Sequence, residues 1–305
     1  MLDYKLLEAL SAVIDQGGFE RGANYLGLTQ SAVSQRIKLL EARLGQPVLV
    51  RSPTLGPTAL GKRLLNHAQQ VRLLEYDLID IVPSLGTDEQ RLRIALNADS
   101  LATWWPLAVG PFSQEHRVLL DLVVQDQTTA LQRMRDGEVA ACLCSTPRAV
   151  QGARVVSLGG MRYMAVATPH FIKRYFPEGL NADSLSEAPG IVFGPDDRLH
   201  HRMVAQYHIA PPFPHHICPS SQGVVQMTVA GLGYALLPEH QARPHLESGA
   251  LAEIETPSPV IVPMYWHYWR QGGQLLSSLT SYLSEQSPNW LLSVEETERG
   301  SPTPL

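Results

Sequence analysis

Residues 30–44 combine a buried helical face with side chains that could read DNA. Apolar residues recur at intervals of four, three and four, as one face of a helix requires: Val33, Ile37, Leu40 and Leu44. The positions outside that face carry amide, hydroxyl and cationic groups: Gln30, Ser31, Ser34, Gln35, Arg36 and Lys38. Such groups suit base edges and phosphates in the major groove. The pattern predicts a recognition helix, and the alternative is an ordinary solvated helix.

The residues before this helix have the spacing of a helix-turn-helix. Gly27 allows the positive φ that a tight turn needs, and Thr29 is a good N-cap for the helix that follows. Ala23 is small where two helices would cross closely. Residues 46–57 are β-forming and punctuated by proline and glycine, which predicts a two-stranded wing with Arg51 in its middle.

The charge of the chain is divided between a basic head and an acidic body. The net charge of the 305 residues is -5, which by itself argues against binding a polyanion. Residues 1–74, however, carry nine lysines and arginines against five acidic residues, and the remainder carries fifteen against twenty-four. We therefore expect only the N-terminal part to contact nucleic acid.

A long helix is predicted from Thr58 to about Pro83. Its apolar positions alternate in steps of four and three, with one histidine among them, and continue to Ile81: Leu60, Leu64, His67, Val71, Leu74 and Leu78. This heptad seam favours a dimerising coiled coil. The alternative is a helix that packs on its own domain.

Beyond a polar linker at 84–90, strands and helices alternate. Apolar strand-like segments at 92–96, 118–124 and 140–144 are separated by helical patterns, which predicts parallel β-α-β units. The alternation resumes after residue 190, so we expect two α/β lobes with chain crossings near 160–168 and 262–268. The tail after Trp290 is polar and is expected to be disordered.

The chain is similar to a known family over residues 2–290. The stretch 28–44, the sequence GQPVLVR at 45–51 and the sequence TALGKRLL at 58–65 resemble the LysR-type transcriptional regulators. The block LNADSLATWWPLA at 96–108 and the segment at 175–177 resemble a subgroup that controls genes of basic amino acid transport and metabolism. Members of that subgroup are also described as inhibitors of chromosome initiation.

The resemblance implies an architecture and a set of partners. It implies an all-α winged helix-turn-helix domain, a long linker helix, and an α/β two-lobed effector domain like the periplasmic binding proteins. The corresponding ranges are 1–58, 59–90, 91–295 (lobe I 91–162 and 268–295, lobe II 163–267) and a tail at 296–305. The implied partners are double-stranded DNA, an amino acid effector and further copies of the chain in dimers and tetramers, with RNA polymerase left open. By matching positions, Arg51 would hold phosphate or the minor groove.

The effector would bind where strands end and helices begin, because ligands of open α/β sheets lie at the carboxyl ends of strands. Hydroxyls there suit the α-carboxylate of an amino acid, and carboxylates suit its ammonium or a cationic side chain. The candidate residues are Asn97, Asp99, Ser100, Asp126, Thr128, Ser145, Phe193, Asp196 and Ser220, with neighbouring Asp197 and Ser221. Lysine or arginine is the expected effector. Alternatively, each polar residue is only a helix N-cap.

Other classes of protein are less well supported by the sequence. No apolar run is long enough to span a membrane, no secretory signal is visible, and three cysteines do not make a disulfide framework, so a cytoplasmic protein without cofactor or metal is expected. No catalytic motif indicates an enzyme. A histidine-rich stretch with Cys218 is a weak alternative metal site. An architectural or replication-inhibiting DNA-binding protein with no effector remains the alternative function.

Overall fold

The computed structural model describes residues 2–52, 54–76, 90–124, 127–195, 197, 199–205, 213–256 and 258–300. The N-terminal part contains, in order, α1 Tyr4–Asp15, α2 Phe19–Tyr25, α3 Gln30–Leu44, β1 Leu49–Val50, β2 Gly56–Pro57 and α4 Ala59–Tyr76. The strands β1 and β2 pair antiparallel, with Leu49 opposite Pro57, and form the predicted wing.

The helices α1, α2 and α3 enclose a small apolar core. Two features of the sequence set how closely they approach one another. Gly22 faces the backbone of Ala12, and a Cβ on Gly22 would lie 3.0 Å from the carbonyl of Ala12. The turn between α2 and α3 contains Gly27 at φ +63°, and the amide of Leu28 donates to the Ala23 carbonyl at 2.9 Å. The close crossing therefore depends on Gly22 as well as on the small Ala23.

The first half of the linker helix α4 packs on its own DNA-binding domain. Leu64 is 7% exposed and lies with Ala68 in the N-terminal core, and Leu60 packs against the same core. His67 Nε2 lies 3.1 Å from the hydroxyl of Tyr4. Leu64 is thus not available to a partner chain, because its side chain is buried in its own domain. At this position the prediction of a seam that faces a second copy is wrong.

The second half of α4 is more open. Leu74 is 46% exposed, and Val71 is half-buried. The remaining predicted seam positions, Leu78 and Ile81, lie outside the described residues. Further along the chain, Gln69 Nε2 donates to the carbonyl of Arg91 at 2.8 Å, so α4 also contacts the effector domain.

The effector domain begins with β-α-β units, as predicted. Its first elements are β3 Gln90–Leu96, α5 Ala98–Ala102, α6 Trp105–Glu115, β4 Val118–Val124, α7 Gln127–Arg135 and β5 Ala141–Cys144. The strands β4 and β5 both pair with β3 in parallel. The second part contains β6 Ala153–Ala167, α8 Pro169–Tyr175, α9 Ala182–Glu187, β7 Gly190–Val192, α10 Leu199–Ala205, β8 His215–Ile217, α11 Ser221–Val229, β9 Ala235–Pro238 and α12 Glu239–Glu247. The last elements are β10 Ala252–Glu253, β11 Val260–Trp269, α13 Gly273–Gln286 and α14 Val294–Gly300.

Two long strands connect the two ends of the domain. In the described part of the chain, one sheet has seven strands in the order β10-β6-β11-β5-β3-β4, with β9 also paired to β6. The strands β6 and β11 run antiparallel from the pair Tyr163–Val260 to the pair Ala153–Trp269, with an irregularity between Met264 and Tyr265. A separate pair, β7 with β8, is parallel and belongs to lobe II.

The C-terminal segment is ordered rather than disordered up to residue 300. Ser293 caps α14: its hydroxyl accepts from the amide of Glu296 at 3.2 Å, and the Glu296 carboxylate accepts from the Ser293 amide at 2.9 Å. Thr297 is 5% exposed and packs where Gly160 leaves room for it. The prediction of a disordered tail after Trp290 is therefore wrong, because this capping box and the contact with β6 hold the segment. Residues 301–305 lie outside the described residues.

Candidate DNA interface and effector cleft

The helix α3 presents its polar side chains on the outside of the N-terminal domain. Thr29 caps it by accepting from the amide of Ala32 at 3.2 Å. Val33 and Ile37 are fully buried, so the register of the helix is fixed by the core. The predicted DNA-contacting side chains are exposed or half-buried: Gln30, Ser31, Gln35 and Lys38 are exposed, and Ser34 and Arg36 are half-buried. All six side chains on α3 are therefore at least partly accessible to solvent.

Arg51 directly follows β1 of the wing and has partners within its own domain. Its guanidinium is 3.7 Å from the carboxylate of Glu41, on α3, and 5.5 Å from the ring centre of Phe19, on α2. The side chain is still 50% exposed. These contacts hold the wing against both helices of the motif, and the exposed half leaves the cation accessible to a phosphate.

A cleft lies where lobe I meets lobe II. It is lined by two carboxyl residues, Asp99 and Asp197, and by the following other residues: Ile191, Phe193, Leu199, His200, Ser221, Val224, Leu236, Leu237, Pro238 and Gln241. The cavity between them has a volume of about 20 Å³, which is room for about one water molecule. An amino acid therefore enters only if the two lobes move apart.

Asp99 is the most deeply buried carboxyl group of the cleft. Its Oδ2 accepts from the Tyr163 hydroxyl at 2.8 Å. Burial raises the pKa of Asp99, and hydrogen bonds from Ser221 and Tyr163 oppose that rise, while the negative charge of Asp197 adds to it. A cation placed between the two carboxyl groups would remove their repulsion and favour the ionised form.

Asp197 is oriented by the backbone of the loop that follows β7. Its carboxylate accepts from the amide of Phe193 at 3.0 Å and from the amide of Leu199 at 2.9 Å. Next to it, burial lowers the pKa of His200 to about 4. His200 is therefore neutral at pH 7 and does not compete with a cationic ligand for Asp197.

Several predicted effector residues do not line this cleft. Ser100 is fully buried, and its hydroxyl accepts from the Trp104 indole at 3.1 Å. Its predicted contact with the carboxylate of a ligand is therefore wrong, because the side chain is packed in the core. Ser220 is an exposed N-cap that accepts from the Gly223 amide at 3.1 Å, and the next residue, Ser221, lines the cleft instead. Asn97 precedes α5, and its Oδ1 is buried without a hydrogen-bond partner among the described residues.

Other predicted effector residues lie directly after β5 or outside the described residues. Ser145 is half-buried directly after β5. Asp126 and Asp196 lie outside the described residues, as does the side chain of Thr128. Phe193, by contrast, lines the cleft and is 37% exposed.

Most apolar lining residues were not predicted from the sequence, and neither were three side chains with hydrogen-bonding groups in or next to the cleft: Tyr163, His200 and Gln241. Tyr163 lies in the long strand β6 and within the chain crossing expected near 160–168, but the sequence pattern does not indicate it as a site residue. The sequence indicates His200 only as part of a histidine-rich stretch. Gln241 belongs to α12, which carries an internal proline and was not recognised as a helix.

Three further sequence features concern a possible metal site, the cysteines and membrane-spanning helices. Among the described residues, no three histidine, cysteine or acidic side chains come together as a metal site. Cys142 and Cys144 lie in β5 and are at most 2% exposed. In the part of the chain that the structure describes, no helix is both long and apolar enough to cross a membrane.

Comparisons with known proteins cover nearly the whole chain. The family model for the lysR family of bacterial regulatory helix-turn-helix proteins matches residues 4–62, and the model for the LysR substrate binding domain matches residues 86–285. The HTH-type transcriptional regulator ArgP of Pseudomonas fluorescens Pf-5 is 59% identical over 298 residues, covering 97% of this chain and 100% of its own. The ArgP of Pseudomonas aeruginosa PAO1 is 58% identical over 296 residues, covering 96% and 99%.

Two solved structures share the fold and more than 30% of the sequence. The crystal structure of ArgP from Mycobacterium tuberculosis has a TM-score of 0.80 at 33% identity and covers 96% of this chain and 100% of its own. The full-length LysG from Corynebacterium glutamicum, with bound effector Arg, has a TM-score of 0.69 at 32% identity and covers 95% and 100%.

The outward polar helix, the wing and the two-lobed domain define a DNA-binding transcriptional regulator rather than an enzyme. The chain belongs to the LysR family, and within it to the ArgP subgroup. The family and the fold class predicted from the sequence are thereby confirmed.

Proposed function

We propose that this regulator senses a basic amino acid, arginine or lysine, in the cleft between its lobes and controls genes of amino acid transport or metabolism. The observation that carries the proposal is the pair of carboxyl groups, Asp99 and Asp197, on opposite sides of one cleft. The negative charge of Asp197 adds to the raised pKa of Asp99, so a cationic ligand between the two groups would be favoured. The related LysG with bound effector Arg supports the same class of ligand.

The DNA-binding end and the effector end are proposed to communicate through the arrangement of subunits. The expected domain ranges, 1–58, 59–90 and 91–295, place the linker helix between the two functions. An amino acid that binds the opened cleft better than the closed one shifts the balance between them. In a dimer or tetramer, that shift would change the spacing of the DNA half-sites that the recognition helices contact.

Isothermal titration calorimetry of the full-length chain against the twenty amino acids tests this proposal. Binding of arginine or lysine should give a heat signal that saturates as the ligand is added. Asp197→Asn should weaken this binding by about tenfold, because a hydrogen bond to a charged group contributes on the order of 1.5–3 kcal/mol. Asp183→Asn, at an exposed position of α9, is the matched control and should bind as the wild type does.

A titration in which no amino acid binds would favour the alternative function. If no amino acid gives heat while the protein still retards promoter DNA in a gel shift, the effector-free architectural or replication-inhibiting alternative is favoured. The small volume of the closed cavity is the observation that keeps this alternative in the experiment.

A further inference from the structure

Tyr163 links the deepest carboxyl group of the cleft to a strand that connects the two lobes. It lies in β6, where it is opposite Val260 of β11 and Pro238 of β9. Its side chain is 4% exposed, and its hydroxyl donates to Asp99 Oδ2 at 2.8 Å. A buried tyrosine on a strand paired on both sides has little freedom to move, so this donor has a fixed position.

We propose that Tyr163 is the positioning residue of the effector site: its hydroxyl orients the Asp99 carboxylate so that the free oxygen meets the cation of the ligand. This proposal rests on the proposed sensing of a basic amino acid. Phenylalanine would fill the same apolar space, and the hydroxyl therefore has one evident use, which is the bond to Asp99.

The second partner of Asp99 is Ser221. The Ser221 hydroxyl approaches the same carboxyl group and also lies 3.2 Å from Gln241 Oε1. Tyr163 and Ser221 both belong to lobe II in the expected domain ranges, so both contacts join lobe II to Asp99 on lobe I. The Ser221 hydroxyl also donates to Gln241, whereas the Tyr163 hydroxyl donates to Asp99 at 2.8 Å, so Tyr163 is the more fully committed donor.

The hydroxyl of Tyr163 also stays a donor over the whole accessible pH range. Burial, followed by the neighbouring charges of Asp99 and Asp197, raises the pKa of Tyr163 well above 10. Asp197 and the buried His200 face the same cleft, and burial lowers the pKa of His200 to about 4. Removing the tyrosine hydroxyl removes one bond that favours ionised Asp99, so the pKa of Asp99 must rise further.

The test measures the affinity of the full-length chain for L-arginine and L-lysine between about pH 5 and 8.5, by calorimetry. Tyr163→Phe should bind about tenfold more weakly at pH 7, and its affinity should begin to fall at a higher pH than that of the wild type. Tyr234→Phe is the matched control. Tyr234 is fully buried, and its hydroxyl has no hydrogen-bond partner among the described residues, so this variant should match the wild type.

Ser221→Ala separates positioning from mere contact with Asp99. It should stay within about threefold of the wild type, because the Ser221 hydroxyl also donates to Gln241 and is not committed to Asp99. A loss as large as that of Tyr163→Phe would overturn the assignment, and so would a Tyr163→Phe variant with wild-type affinity and pH profile. If the wild type binds neither amino acid, the proposed function itself is wrong. If the wild type and Tyr163→Phe bind with the same affinity, only the positioning role of Tyr163 is refuted.

Discussion

The Nζ of Lys62, on the linker helix, lies 2.9 Å from the Oε1 of Glu138, on lobe I of the effector domain. One helical turn further on, Asn66 Nδ2 donates to the carbonyl of Asp136. Both contacts reach the short turn between α7 and β5. The helix that carries the DNA-binding domain is therefore fixed to the effector domain within a single chain, at a turn that either side could disturb.

Glu138→Gln should weaken this attachment and lower the free energy of unfolding by about 1 kcal/mol at pH 7. Burial raises the pKa of Glu138, but the hydrogen bonds and charges of Lys62 and Arg133 together outweigh it, so the pKa lies below 4.5. Because the pKa is lower in the folded state, the carboxylate contributes fully above about pH 4.5, and the contribution is lost as the pH falls through the folded value.

Urea unfolding of wild type and Glu138→Gln at pH 7 and at about pH 3.5 measures this effect. The difference between the two proteins should shrink at the lower pH. Glu285→Gln, at an exposed position of α13, should behave as the wild type at both. A difference that is as large at acid pH as at neutral pH would contradict the proposed role of the charge.

Arg36→Ala combined with Lys38→Ala should weaken binding to every DNA sequence. Both cations lie on the outer part of α3, where they would neutralise phosphates and release counterions. The slope of log affinity against log salt should fall by about 1 for each phosphate contact removed. Fluorescence anisotropy with labelled duplexes at several salt concentrations measures the slope, and Lys173→Ala, an exposed cation of α8, is the control. An unchanged slope would remove these two residues from the interface.

Gln35→Ala should instead reduce the preference for particular bases. Its amide is exposed on α3 and could pair with a base edge, a contact that contributes about 1–3 kcal/mol of discrimination. Selection of binding sites from a random duplex pool should return a consensus with one position relaxed. If the consensus is unchanged, Gln35 does not read a base.

The sequence predicted the local elements better than the contacts between distant parts. Helical periodicity placed α3 correctly, since Val33 and Ile37 are fully buried, and an apolar run gave the strand at Val118–Val124. Spacing could not show that Ser100 is buried, because the core around it includes Met264, which is 164 residues further along the chain. Tyr163 was missed for the same reason: its partner, Asp99, is 64 residues away.

Leu64 and Leu74 both belong to the predicted seam but should respond differently to truncation. Leu64 is 7% exposed in the core of its own domain, and Leu74 is 46% exposed. Leu64→Ala should therefore lower the free energy of unfolding by about 2–4 kcal/mol through the cavity it leaves. Leu74→Ala should leave the unfolding of the subunit nearly unchanged and weaken self-association, if the exposed half of α4 contacts a second copy. Urea unfolding together with sedimentation equilibrium separates the two effects, and a Leu74→Ala variant that associates as the wild type does would refute the dimer seam.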